Sequence, residues 1–482
     1  MLIDRLFSIT NLKPMKIQQN LKIFFISVFF MGTGQSQSLE NKKIPGYRPI
    51  WFELNQKYEY GDKYSGALGT YTAKHHPLAI YAAEINKTFF VYGGTKSAES
   101  KHLLCMIGSY DHATGLVSQP LVVCDKMGVD DPHDNPSILI DNQGYLWVFI
   151  SGRGRVRMGF KYKSKKPYSI DGFEKITTEE MTYPQPKKMG SYFFNFFTKY
   201  SGIRQLFFEK SENGIQWSDD IMLAAIPEKK GQKSGHYQIS AQFKEKKIAT
   251  FFNRHPNGIV DQRTDLYYLE TEDSGETWTT ADKQSIPIPL TEKNSLSRVV
   301  DYAGLKKNIY LKDMVFDSWG RPICLYIRSK GHKPGPENHP YEWCITKWNG
   351  SQWTTHVVTT SDHNYDMGSL LIDKEKLYLV GPTAIGPQKW GVGGELIVWK
   401  SYDWGAHWIK EKDLTQNSAM NHSYVRKSEN FKDPFVYFWA DGDAHQFSKS
   451  ELYFGNLEGK IWKLPYTMEK ESELPQLIQW NH

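Results

Sequence analysis

The chain has 482 residues, 40% of them hydrophobic and 14% aromatic, and a formal net charge of +6 at pH 7. A mean hydropathy of −0.55 excludes a helical membrane protein of many spans, and so small a basic excess gives no support to nucleic-acid binding. Cys105, Cys124, Cys324 and Cys344 show no CxxC spacing, which removes the usual metal knuckle. They sit in apolar strand patterns such as PICLYI and read as buried free thiols, with a bridge inside each neighbouring pair as the alternative.

At the N-terminus one apolar run, IFFISVFFM at 23–31, follows Lys16 and Lys22 and precedes the small, polar GTGQSQS. Basic, apolar, then small is the order of a secretory signal, and nine residues are too few to span a bilayer. Residues 1–36 are therefore expected to be removed, with Met15 as an alternative start and the mature chain beginning between Gln35 and Leu39. The protein is then secreted or periplasmic. Losing Arg5, Lys13, Lys16, Lys22 and Asp4 lowers the net charge to +3, and local basic patches remain able to hold an anionic sugar polymer.

From residue 37 onward the pattern is that of short strands and tight turns. TEDSGETW at 271–278 reads as strand, turn, strand, with Gly275 suited to the turn and Trp278 packed beneath it. SENGIQW at 211–217 and SYDWGAHW at 401–408 repeat it. This is the Asp-box, a structural repeat whose presence alone says little about function. Related markers near Asp111, Tyr162, Ser211, Thr271, Trp348, Ser401 and Tyr453 are spaced 49 to 77 residues apart. Such spacing predicts an all-β fold, a seven-bladed β-propeller occupying residues 37–482 as one domain. GYRPIWFEL from Gly46 is expected to add an outer strand to the blade ending near Leu464, closing the ring. Turn-rich insertions after Ser285 and from Lys330 are expected to overhang one face.

Loops at a propeller's channel mouth are the natural ligand contacts. Histidine, tyrosine and basic residues gather in YTAKHHPLAIY (71–81), DDPHDNPS (130–137), SGRGR (151–155), MTYPQP (181–186), FTKYSG (197–202), GHYQ (235–238) and NRHP (253–256). SDHNYD (361–366) and MNHSYVR (420–426) are similar. A lone histidine before proline, such as His76 or His255, is more often a satisfied strand-end residue than a catalyst, so the collection outweighs its members. No acidic pair stands out for a two-carboxylate glycosidase. Histidine is the better-supported proton-transfer residue.

GDKYSGALGTYTAKHHPLAIY, NKTFFVYGGT, DPHDNPSI, TYPQP and GHYQ carry a resemblance to the Asp-box propeller family that includes ulvan lyases and enzymes cleaving L-rhamnose from glucuronic acid. For the lyases it implies two histidines, two tyrosines and a basic residue at the channel mouth: His133, Tyr183, Tyr237 and His255 match these. Lys199 stands where a lyase has arginine, and Arg153 where it has a further histidine. For the rhamnosidases the resemblance implies a first-blade catalytic histidine on the opposite face, matched by His75 or His76.

The preferred expectation is an α-L-rhamnosidase acting on ulvan or arabinogalactan-like glycans, its partner an anionic polysaccharide or oligosaccharide. The first alternative is β-elimination at the uronic acid, with Lys199 or Arg153 binding the carboxylate. The second is a propeller that binds carbohydrate without catalysis. No metal is required by the preferred chemistry, and a structural calcium or zinc stays open.

Overall fold

A computed structural model describes residues 38–68, 74–200, 204–227 and 234–479. The expected leader, 1–36, lies outside the described residues. Secondary structure in the described residues is strand, with four short 3₁₀ turns. The strands form successive antiparallel meanders. We label the innermost strand of each as β1 (Ala79–Ala82), β2 (Pro136–Ile140), β3 (Thr182–Met189), β4 (Gln238–Phe243), β5 (Asn308–Phe316), β6 (Ser369–Asp373) and β7 (Asn421–Lys432). The meanders opening with β2 to β6 are separate four-stranded sheets, whereas those opening with β1 and β7 join in one sheet through a parallel pairing of Ile80 with Glu429. Each inner strand contacts the next, and β7 returns to β1.

The sheets pack face to face, which is why their strands read as nearly unbroken apolar runs where an exposed sheet would alternate with polar residues. Tyr192–Lys199 (YFFNFFTK) shows how. Phe194 and Phe196 point into a cluster with Phe252, Tyr267 and Trp278 of the following sheet. Phe193 and Phe197 point the other way, onto Trp147 and Phe149 of the preceding one. Each fully buried phenylalanine contributes about 1.5–3 kcal/mol by leaving water, so one strand fastens three sheets.

The Asp-box turns lie between the third and outer strands of their meanders. Thr271 Oγ1 accepts from the Gly275 amide at 2.9 Å, while Asp273 Oδ1 accepts from the Thr277 amide at 2.9 Å. Ser401 with Gly405 and Asp403 with His407 repeat these bonds at 2.7 and 2.9 Å. The glycine is required: Gly275 has φ +81°, a conformation side chains resist. Trp278 is buried at 1% exposure against Phe196 and Phe208.

Two expectations are corrected. The segment from Gly46 does not form the outer strand of the last meander; Gln476–Ile478 does, pairing with Ile461–Lys463. Pro49 bridges Gly94 of the first meander, and the Tyr47 amide donates to Pro465 O at 2.9 Å, so the N-terminal segment lies in the seam between first and last. The insertion after Ser285 does not overhang at its start: Leu290 pairs in parallel with Ala224 and buries beside Leu223. The insertion from Lys330 packs on an N-terminal arm, His332 meeting Tyr58 edge-on at 6.4 Å. All four cysteines are free and buried, as the apolar patterns predict.

Candidate active site

Inner strands running the same way place their starting ends at one mouth of the central channel. There the sequence Asp-Pro-His-Asp forms a 3₁₀ turn, Pro132–Asp134, just before β2. Asp131 caps it: its Oδ1 accepts from the His133 amide at 3.0 Å and also bonds His133 Nδ1. Arg153 Nη1 and Arg157 Nη2 reach Asp131 Oδ2 at 3.0 and 2.6 Å. Burial alone raises the Asp131 carboxyl, but the His133 bonds and Arg157 outweigh it and hold it well below the usual carboxylate range. Asp131 therefore stays ionised and fixes the His133 tautomer, leaving Nε2 as the free proton acceptor.

His133 stacks on Tyr183 at 5.3 Å and meets Tyr200 at 6.0 Å. Tyr183 opens β3 in a left-handed conformation, φ +56°, held by its amide donating to Ser151 Oγ at 2.9 Å. A bulky residue there is strained, and such strain gathers at functional sites. Tyr200 OH donates to Tyr183 OH at 3.0 Å, so the Tyr183 oxygen accepts that bond. Arg204 lies 4.6 Å over the Tyr200 ring. Burial opposes its charge, but a guanidinium keeps its proton, so Arg204 is a fixed cation beside Tyr200.

Beyond Tyr183 the cluster continues to Tyr237 at 5.8 Å, and Tyr237 meets His255 at 4.6 Å. Arg263 sits 4.4 Å over Tyr237. His255 is fully buried with neither ring nitrogen hydrogen-bonded, and burial, then Arg263 and Arg204, push its pKa far below the usual value. His255 is thus a neutral imidazole among cations. On the outer side, Asp261 Oδ1 accepts from Tyr64 OH at 2.8 Å and Asp261 Oδ2 pairs with Lys63.

The structure thus brings His133, Tyr183, Tyr237 and His255 to one mouth, with Arg153 at its half-exposed rim. His75 belongs to the same cluster: its Nε2 donates to His133 O at 3.1 Å and its ring meets Tyr183 edge-on at 5.5 Å. Burial pushes His75 down to about 3. His76 faces the other way, with Lys187 Nζ at 3.1 Å from Nδ1 and Glu429 Oε1 at 3.2 Å from Nε2. Lys187 and Glu429 line a cavity of about 1070 Å³ at the far ends of the inner strands.

Lys199 is a correction. It sits 5.3 Å over Phe207 and pairs with Asp220. Strand alternation gives it the orientation of Phe197, toward the preceding sheet, so it does not reach the mouth. Arg204, five residues on, supplies the cation instead. Sequence reading missed Asp131, Tyr200, Arg204 and Arg263. Asp131 and Tyr200 were signalled by lying inside DDPHDNPS and FTKYSG. Among the described residues no group of three or more His, Cys, Asp or Glu is arranged to hold a metal, and no helix is long and apolar enough to cross a membrane.

An ulvan lyase of the PL25 class from Pseudoalteromonas sp. (strain PLSV) is 22% identical over 386 residues, covering 70% of this chain and 74% of that protein. An ulvan lyase from Nonlabens ulvanivorans is 22% identical over 400 residues, covering 73% and 79%. A solved PL25 ulvan lyase superposes with a TM-score of 0.66 at 17% identity, covering 85% of this chain and 95% of that one, a likeness of fold. Residues 117–361, half of the chain, match the model described as BNR repeat-containing family member. They span the Asp-boxes at Thr271 and Ser211 and the residues from Asp131 to Arg263, so the chain belongs to the BNR repeat-containing family.

Proposed function

We propose that this protein is a polysaccharide lyase that cleaves a rhamnose and glucuronate polymer such as ulvan by β-elimination, on a seven-bladed propeller scaffold. The observation that carries the reading is the convergence of the His133–Asp131 pair, Tyr183, Tyr200 and Arg204 at one channel mouth, in a chain similar over most of its length to ulvan lyases. A solved relative has been captured with -[GlcA(1-4)Rha3S]-. The blade count is supported by the inner strands β1 to β7, each touching the next and the last returning to the first.

Elimination needs three groups, and the mouth offers each. Arg204 neutralises the uronate carboxylate, which makes the C5 proton removable. His133 Nε2, with Asp131 behind Nδ1, takes that proton. The electron pair forms the C4=C5 double bond as the bond from C4 to the bridging oxygen breaks, and Tyr183 protonates the leaving oxygen. Tyr200 then stabilises the tyrosinate through its own hydroxyl. The rhamnosidase alternative draws less support, because the relatives described above are lyases.

The test is incubation with ulvan, followed by chromatography and ultraviolet detection. Elimination yields oligosaccharides ending in an ultraviolet-absorbing unsaturated uronate. Free rhamnose with saturated uronate, or no change in the polymer, overturns the proposal.

A further inference from the structure

Several buried cations elsewhere in the molecule have carboxylate partners: Lys427 with Asp313 at 3.0 Å, Arg254 with Asp265 at 2.8 Å, and Lys161 with Glu179 at 2.7 Å. Deep in the channel three form no ion pair among the described residues. Lys74 and Lys312 are 1% exposed and Arg426 is fully buried. Lys74 Nζ donates to Leu311 O, Lys312 Nζ to Asn364 O at 2.6 Å, and Arg426 Nη1 to Lys312 O at 3.0 Å. Arg426 Nη2 donates to Tyr424 OH at 3.2 Å, and its Nε has no partner. Two of these cations are thus anchored on the consecutive carbonyls of Leu311 and Lys312, the third being Lys312 itself.

Carbonyls satisfy donors but do not cancel charge, and grouped buried cations without a counter-charge are strongly unfavourable. The acid that acts on Lys312 is Asp366. Burial, then Asp362, push the Asp366 carboxyl far up, which works against its carrying a negative charge. Burial and the neighbouring cations likewise press the two lysines toward loss of their protons, which shows how poorly the protein alone supports the cluster.

We propose that Lys74, Lys312 and Arg426 form a small-anion site inside the channel, beneath the His133 and Tyr183 centre, and that its occupant is a monatomic halide. Near-complete burial of all three favours the smallest anions over a polymer-borne sulfate. Lys74 precedes His75, whose ring packs on Tyr183, so the ion steadies the floor of the candidate active site. The inference is independent of the reaction catalysed there.

The experiment is thermal unfolding of the full chain at constant ionic strength while sodium gluconate is exchanged for chloride or bromide. A saturable rise of about 2–4 °C is expected for the wild type. Lys312→Met should abolish it and Lys199→Ala should keep it; if Lys312→Met does not fold, Lys74→Met takes its place. Crystals soaked in bromide should show anomalous scattering within hydrogen-bonding reach of Arg426 and both lysines. No rise in the wild type, an undiminished rise in the lysine variants, a rise produced by sulfate but not by halides, or no bromide at the cluster overturns the proposal.

Discussion

Asp131 serves His133 twice, capping the turn that carries it and holding its Nδ1, so its replacement separates position from protonation. Asp131→Asn keeps a cap but frees the tautomer, and unsaturated-product formation should fall, though by less than in His133→Ala. For the latter a loss of about 10²–10⁴-fold is expected, the usual contribution of a positioned proton acceptor. Arg204→Ala should cost about 10²–10³-fold, because an uncompensated uronate charge raises the barrier. Lys199→Ala should stay within a few-fold of wild type, since its partner is Asp220. Initial rates read by ultraviolet absorbance rank the four variants, and a severe Lys199→Ala with a mild Arg204→Ala contradicts the assignment. Residue type and neighbourhood were legible here: HDNP, TYPQ, GHYQ and NRHP all converge. Which cation joins them was not, because Lys199 and Arg204 differ by orientation, which only the pairing of their strands decides.

Individual strands and turns carry their own tests. His236 links two elements: its Nδ1 donates to Asn253 O at 2.9 Å and its Nε2 accepts from the Ile226 amide at 3.1 Å. Burial dominates and pushes its pKa down to about 4, although the Asn253 bond works in the other direction. An unfolded histidine titrates at about 6.5, so between the two values the unfolded chain binds the extra proton. The stability that neutral His236 supports is therefore complete above about pH 6.5 and is lost as pH falls through about 4. The Tm of His236→Gln should accordingly fall less between about pH 7 and about pH 5 than that of the wild type, as differential scanning calorimetry would show. At the Asp-box, Trp278→Ala removes a ring packed on Phe196 and Phe208. The expected loss is about 3–5 kcal/mol, read from urea unfolding; a loss below about 1 kcal/mol means the site collapses without a cavity. Sequence reading placed these turns correctly because their chemistry is local, a hydroxyl, a carboxylate and a glycine within five residues.

At the scale of the whole molecule, the described segments at residues 47–49 and 472–478 lace one seam. Ser472–Glu473 pairs with Val117–Ser118 of the first meander, and Gln476–Ile478 with Ile461–Lys463 of the last. Truncation after residue 470 removes those pairings, most of them exposed. At about 0.5–1.5 kcal/mol net for each hydrogen bond, the cost should be about 1–3 kcal/mol in urea unfolding, with elimination activity retained because the mouth is built elsewhere. A truncated chain that fails to fold shows the strap to be essential for closure. The strand repeats, the Asp-box turns and the histidine and tyrosine loops were legible in the sequence alone, since short apolar runs and turn chemistry act within a few residues. Only the tertiary structure decided which segment supplies the outer strand, which histidine of the adjacent pair faces which end of the channel, and that Arg204 rather than Lys199 meets the tyrosines. Those are contacts between residues far apart in the chain, set by how the sheets pack around the channel, and no local pattern encodes them.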